Sequence, residues 1–183
     1  FWLDRVSGDI PVLDMPLDFR RPTVQSFEGG AFLFRFDQRL TREIHALASQ
    51  AQSTVFMVLL SMYNVLLSRF SSQEDIIVGT PVGGRSHADL ENIIGMFVNT
   101  LALRNYPRRD IPFAGFLREV TGHTLEAFQH QDYPFEDLVE KAGVKRDTGR
   151  NPLFDVMFSL RQIDRGPGLD GGTGAEGDGF TIE

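Results

Sequence analysis

The segment Val55–Phe70 constrains the fold most, because it is apolar on almost every face of a helix. Its interruptions are Ser61, Asn64, Ser68 and Arg69, and it is short for a membrane span, so the pattern predicts a helix buried inside protein. Ser53 and Thr54 stand where a helix cap belongs, and the helix is expected to run to about Ser71. A helix of this kind needs other elements packed around it.

The flanking sequence supplies them. Phe1–Val6 reads as the end of a helix stopped at Gly8. Asp9–Glu28 contains Pro11, Pro16 and Pro22 and has no helical period, which predicts an extended connector crossing a surface. Ala31–Phe36 alternates as a strand does, with Phe32, Phe34 and Phe36 on one face. Leu40, Ile44, Leu47, Ala48 and Ala51 recur at helical spacing, predicting an amphipathic helix over 39–51. Ile76-Ile77-Val78 reads as a strand buried on both faces, followed by a loop over Gly79–His87 and a helical turn near Leu90. A strand is expected from Met96 to Arg104, with Pro107 breaking it.

Phe113, Phe116, Leu117, Val120, Thr124 and Phe128 share one helical face, predicting a helix over about 112–131. Pro134 starts another helix, which Gly143 ends. Leu153–Leu160 alternates again, with Phe154, Val156, Phe158 and Leu160 on one face. Residues 164–179 hold seven glycines and read as a flexible loop, and Phe180–Glu183 look like the beginning of a strand cut short. Strands separated by helices give an α/β layered sandwich, and the strand–helix pairs over 31–80 suit a parallel crossover.

Composition narrows the function. The 183 residues include 16 Phe, enough for a substantial core. A net charge of −7 and a pI near 5.1 repel phosphate backbones, which argues against general nucleic-acid binding. There is no Cys, hence no disulfide, thiolate metal site or cysteine nucleophile, which fits a cytoplasmic protein. The N-terminus is no signal peptide and no membrane segment is predicted; without an initiator Met, the chain is expected to begin inside a longer reading frame. Gly79–Gly84 follows a strand, but no Gly-Lys-Ser/Thr ends it, so it is a loop and no phosphate cradle.

Few residues could carry chemistry. His45, His87, His123 and His130 lack metal-ligand spacing with a carboxylate partner, and no Gly-x-Ser-x-Gly elbow occurs. His45 lies off its helix's apolar face. His123 and His130 fall on one flank of the expected 112–131 helix, as boundary residues or, for His130, in contact with a neighbouring lobe or channel. Glu136 and Asp137 sit at a helix N-terminus, where they stabilise its dipole. Asn99 shares a strand face with Phe97, Leu101 and Leu103. A buried amide needs partners, so Asn99 either bonds to a neighbouring loop backbone or lines a polar channel. Arg146–Pro152 is either a solvated turn with a local Arg–Asp pair, or a loop that Arg150 and Asn151 tie to a second element.

Three segments in order resemble the condensation domains of nonribosomal peptide synthetases. Ile94-Gly95-Met96-Phe97-Val98-Asn99-Thr100 is similar to the family's Ile-Gly-x-Phe-Val-Asn-Thr. His130-Gln131-Asp132-Tyr133-Pro134-Phe135-Glu136 resembles His-x-x-x-Pro-Phe-Glu. Arg146 through Leu153, with Arg150-Asn151-Pro152, resembles Arg-Asp-x-Ser-Arg-Asn-Pro-Leu, with Gly149 where Ser is common. The linker ending Leu17–Pro22 and the loop Val78–Arg85 also look familiar. The Met96–Thr100 string disfavours the related epimerization domains.

The resemblance implies a chloramphenicol-acetyltransferase-like lobe, a mixed sheet with helices on one side, paired with an N-terminal lobe across a tunnel. It implies a division into 1–28, a helix end and inter-lobe linker; 29–162, the C-terminal lobe; and 163–183, a Gly-rich loop and truncated strand. The implied reaction joins a donor peptidyl or aminoacyl thioester to an acceptor aminoacyl thioester. Both are delivered on phosphopantetheine arms of carrier proteins, beside an adenylation domain, with no cofactor or metal bound directly. The family's His-His-x-x-x-Asp-Gly motif does not occur in this chain, so no catalytic residue is assigned. Asn99, Arg85 and His130 are the candidates for the tunnel side. Gly95, Phe97, Pro134, Phe135, Glu136, Arg150, Asn151 and Pro152 are expected to brace the lobe. The alternatives are a non-catalytic lobe that docks carrier proteins and another acyltransferase-superfamily member.

Overall fold

The computed structural model describes residues 1–26, 28–84, 88–90, 93–144, 147–161 and 181–182. Val55–Ser71 forms the expected central helix, α3 below. The Thr54 hydroxyl accepts the Met57 N–H at 3.2 Å, and the helix ends at Ser72 in the left-handed region. Met57, Val58, Leu60 and Leu67 are buried along it. Two of its buried polar side chains bond back to their own helix: Ser61 Oγ donates to the Met57 carbonyl at 2.7 Å and Asn64 Nδ2 to that of Leu60 at 2.8 Å.

The elements in order are α1 (Trp2–Arg5), β1 (Phe34–Arg35), α2 (Gln38–Gln50), α3, β2 (Ile76–Val82), a 3₁₀ turn (Ala88–Leu90), β3 (Asn99–Asn105), α4 (Phe113–Gln129), α5 (Phe135–Lys141), β4 (Val156–Met157) and β5 (Thr181–Ile182). Asp37 caps α2 by accepting the Leu40 N–H at 2.7 Å. The expected helix stops Gly8 and Gly143 both have positive φ, 73° and 63°. Among the described residues no single helix is long and apolar enough to cross a membrane.

β2 is buried over its first five residues and lies between two neighbours, in the order β3-β2-β4. It pairs antiparallel with β3 from Ile76↔Asn105 to Val82↔Asn99, and parallel with β4 at Val78↔Val156 and Gly79↔Met157. Leu101, Ala102 and Leu103 of β3 and Phe116, Leu117 and Val120 of α4 join β2 and α3 in one core.

Five strand expectations need correction. The strand expected over Ala31–Phe36 shrinks to Phe34–Arg35, the two residues that pair with β5. Gly79–Val82 is strand where a loop was expected; Pro81 is tolerated because pairing with β4 stops at Gly79. β3 starts at Asn99, and Met96 is outside it, because β2 offers no partner beyond Val82. The expected parallel crossover over 31–80 does not form: β1 pairs antiparallel with β5, Phe34↔Ile182, in a separate two-stranded sheet. The strand over 153–160 shrinks to Val156–Met157, although Phe154, Val156, Phe158 and Leu160 face the core as the alternation predicts. His130 is also displaced, being the residue after α4, so it does not share a helical flank with His123.

Arg104 holds the N-terminal segment to this sheet. Its side chain is 8% exposed, and the guanidinium makes a bidentate pair with Asp75, Nε–Oδ1 at 2.9 Å and Nη2–Oδ2 at 2.7 Å. It also donates to the carbonyls of Ser7 at 2.8 Å and Asp9 at 2.9 Å, just past the end of α1. The hydrogen bond to Asp75, with the carboxylate's charge, raises the Arg104 pKa against the opposing pull of burial, so the cation is never lost. Arg104→Leu is expected to cost about 2–3 kcal/mol, because it strands Asp75 and two carbonyls at once. Urea denaturation with an unchanged m-value checks this.

Candidate functional site

Two of the resemblance segments meet at Asn99, the first residue of β3, paired with Val82 at the end of β2. Its Nδ2 donates to the carbonyls of Gln131 at 2.7 Å and Tyr133 at 2.8 Å. Its Oδ1 accepts the N–H groups of Thr100 at 2.9 Å and Phe135 at 3.2 Å. Both donors and both lone pairs are therefore engaged by backbone. Of the two readings open for Asn99, bonding to a neighbouring loop is what the geometry displays, and that loop is the α4–α5 turn.

The turn carries the other candidates. The His130 carbonyl accepts the Trp2 indole N–H at 2.9 Å, and its ring stacks on Phe1 with centroids 4.3 Å apart. Pro134 precedes α5, Glu136 lies exposed in its first turn, and the half-buried Phe135 ring lies 5.6 Å from that of Phe154. Lys141 Nζ stands 5.2 Å from the Tyr133 ring centroid. Between α1 and this turn lies an open depression of about 690 Å³, lined by Phe1, Trp2, His130, Tyr133, Pro134 and Lys141.

The remaining candidates are dispersed. Arg85 and Arg146 lie outside the described residues. Gly95 is exposed and Phe97 half-buried, in a loop whose Ile94 and Met96 are 101% and 94% exposed. Gly84, with φ +57°, passes so close to the Phe97 carbonyl that any Cβ would overlap it. Arg150 Nη1 donates to Asp155 Oδ2 at 3.0 Å, an oxygen that also accepts the Leu13 N–H at 3.1 Å. Arg21 faces the other Asp155 oxygen at 3.5 Å, as an ion pair rather than a hydrogen bond. Thus Arg150 ties its loop to the connector through Asp155, while Asn151 Oδ1 accepts the nearby Leu153 N–H at 3.4 Å, next to Pro152.

Asp155 was missed by sequence reasoning, although an acid within an apolar run is the signal that marks it; its side chain is 7% exposed. Trp2 and Arg104 were also missed. Among the described residues no group of three or more His, Cys, Asp or Glu could hold a metal ion.

The connector also binds the loop directly. Thr148 Oγ1 donates to the Thr23 carbonyl at 2.7 Å, and the Gln25 N–H to the Thr148 carbonyl at 3.0 Å. A Cβ on Gly149 would stand 2.9 Å from the Pro22 carbonyl oxygen. Gly149→Ser is therefore expected to push the connector away, lower stability by about 1 kcal/mol, and speed tryptic cleavage after Arg20, the bond after Arg21 being protected by Pro22.

His123 Nδ1 lies 3.4 Å from Asn105 Oδ1, and burial, helped by Arg5, lowers its pKa against the opposing pull of Glu126 and Glu119. The unfolded chain then binds the proton first. Stability is complete above the ordinary histidine range, near pH 6.5, and declines as pH falls from there toward the lowered folded value. Denaturation midpoints between about pH 7.5 and about pH 5.5 should fall, and fall less in His123→Gln.

The condensation-domain family profile matches residues 1–166. Tyrocidine synthase 3 of Brevibacillus parabrevis is 60% identical over 165 residues, which is 90% of this chain and 2% of that protein. Gramicidin S synthase 2 of Brevibacillus brevis is 56% identical over 164 residues, 90% of this chain and 4% of that protein. The four-domain nonribosomal peptide synthetase holo-AB3403, solved with AMP and glycine, superposes with a TM-score of 0.86 at 30% identity, covering 90% of this chain and 12% of that one. The chain therefore spans a few per cent of the curated synthetases it matches, and its fold is the chloramphenicol-acetyltransferase-like α/β fold of these domains. This chain belongs to the condensation-domain family of nonribosomal peptide synthetases.

Proposed function

We propose that this chain is the C-terminal lobe of a condensation domain, and that the parent protein joins a donor peptidyl or aminoacyl thioester to an acceptor aminoacyl thioester. The acceptor amine attacks the donor thioester carbonyl. The C–N bond forms, the C–S bond breaks, and the proton lost from the attacking nitrogen passes through a base to the departing sulfur, leaving a free thiol on the donor's phosphopantetheine arm. The observation that carries this reading is the family match over residues 1–166 in a chain without two adjacent histidines. The base is then supplied by the N-terminal lobe. Carrier proteins bring both substrates, an adenylation domain loads the acceptor, and the assembly works in the cytoplasm.

This chain's part in the reaction is to form one wall of the tunnel. The Asn99, Pro134-Phe135-Glu136 and Arg150-Asn151-Pro152 segments hold that wall in shape through backbone bonds and ion pairs. Preorganised geometry of this kind lowers the barrier only when a reacting group is present to be positioned.

The test is condensation with loaded carrier proteins, followed by mass spectrometry of the product. The parent protein is expected to form the amide and the 183-residue chain alone to form none. Turnover by the isolated chain would overturn the division of labour. A parent with an intact upstream histidine motif that hydrolyses or retains both thioesters would overturn the reaction itself.

A further inference from the structure

We infer that Asn99 is a positioning residue, whose one carboxamide ends α4, begins α5 and so sets the wall of the depression beside Trp2 and His130. The turn's own backbone bonds are long: Gln131 N–H to the Phe128 carbonyl at 3.3 Å and Tyr133 N–H to the His130 carbonyl at 3.4 Å. The Asn99 bonds to the Gln131 and Tyr133 carbonyls, at 2.7 and 2.8 Å, are shorter and come from a strand already fixed by the β2 ladder.

The α5 end has a matching need. Pro134 occupies its N-cap and makes no side-chain cap bond, leaving the first N–H groups of the helix without a local side-chain acceptor. Asn99 Oδ1 accepts one of them, that of Phe135, from 36 residues away. It does for α5 what an N-cap asparagine ordinarily does for its own helix. The effect is carried on to α1, because His130 adjoins the clamped turn and holds Trp2 through its carbonyl and Phe1 through its ring.

Trp2, the single tryptophan of the chain and 6% exposed, reports this arrangement. Asn99→Asp keeps the acceptor for Phe135 but puts an oxygen against the two carbonyls at neutral pH. Lowering the pH protonates the new carboxyl, which can then donate to one of them. In the 183-residue chain the variant is expected to shift Trp2 emission at neutral pH with unchanged far-UV circular dichroism, and to recover part of the shift on acidification, while the unsubstituted chain shows no such recovery. In that unsubstituted chain, both Asn99 side-chain amide protons are expected to exchange with solvent at least tenfold more slowly than those of an exposed asparagine.

Resting on the proposed condensation reaction, the same substitution in the parent protein is expected to lower kcat/KM by about tenfold to a hundredfold in the folded enzyme, the scale of a misplaced wall. Unshifted Trp2 emission in a folded variant, a shift without acid recovery, or fast amide exchange would each overturn the clamp. If the variant unfolds, amide exchange in the unsubstituted chain decides. Unchanged condensation with a shifted Trp2 would overturn the positioning role. If the unsubstituted parent forms no amide, the reaction is wrong, and the clamp is judged by fluorescence and exchange alone.

Discussion

Everything in this fold hangs on β2. Its first five residues are buried, so its peptide groups must find partners within the protein. One edge takes β3 over seven residue pairs, and the other takes β4 in parallel. A parallel neighbour obliges the chain to leave the sheet and return, and α4 and α5 lie on that path. The β2–β3 register places Asn99 opposite Val82 at the end of the ladder. A one-residue slip would turn Asn99 to the other face and remove its bonds to Gln131, Tyr133 and Phe135.

Apolar burial alone would leave the irregular segments underdetermined, because the hydrophobic effect has no direction. Three polar side chains supply direction, and each joins irregular backbone to a regular or buried element. Arg104 on β3 takes the carbonyls that follow α1, Asn99 takes the α4–α5 turn, and Asp155 beside β4 takes the connector at Leu13. Each has several partners, so a substitution strands more than one group. That asymmetry makes such residues costly to remove even where the bond itself contributes modestly.

The helices were legible because each carries its own signal within a dozen residues: α3 its apolar run and Thr54 cap, α4 its recurring Phe and Leu, α5 its leading Pro134. The strand ends were not, because a strand stops where its partner stops. β3 begins at Asn99 since β2 ends at Val82, and β4 is reduced to two residues despite eight that alternate. The β1–β5 pairing joins Phe34 to Ile182, a separation with no local trace. Asn99 stood out as an amide on an apolar face, yet its partners are backbone atoms, and no side-chain pattern reports those. Asp155 showed itself only as an acid in an apolar run; of its partners Arg150 is near in sequence, but Leu13 and Arg21 lie far off in the connector.

The family segments in this chain therefore act mainly on the backbone. Asn99 meets peptide groups, Pro134 opens a helix, and Arg150 reaches the connector through Asp155. A segment that holds backbone is constrained by shape, since its partners are the same whatever side chains surround them. Gly149 illustrates the point: Pro22 lies where a serine side chain would begin, so the size of this residue and the path of the connector are one constraint. By the same logic, Asn99 acts through its peptide partners, by fixing where the α4–α5 turn lies.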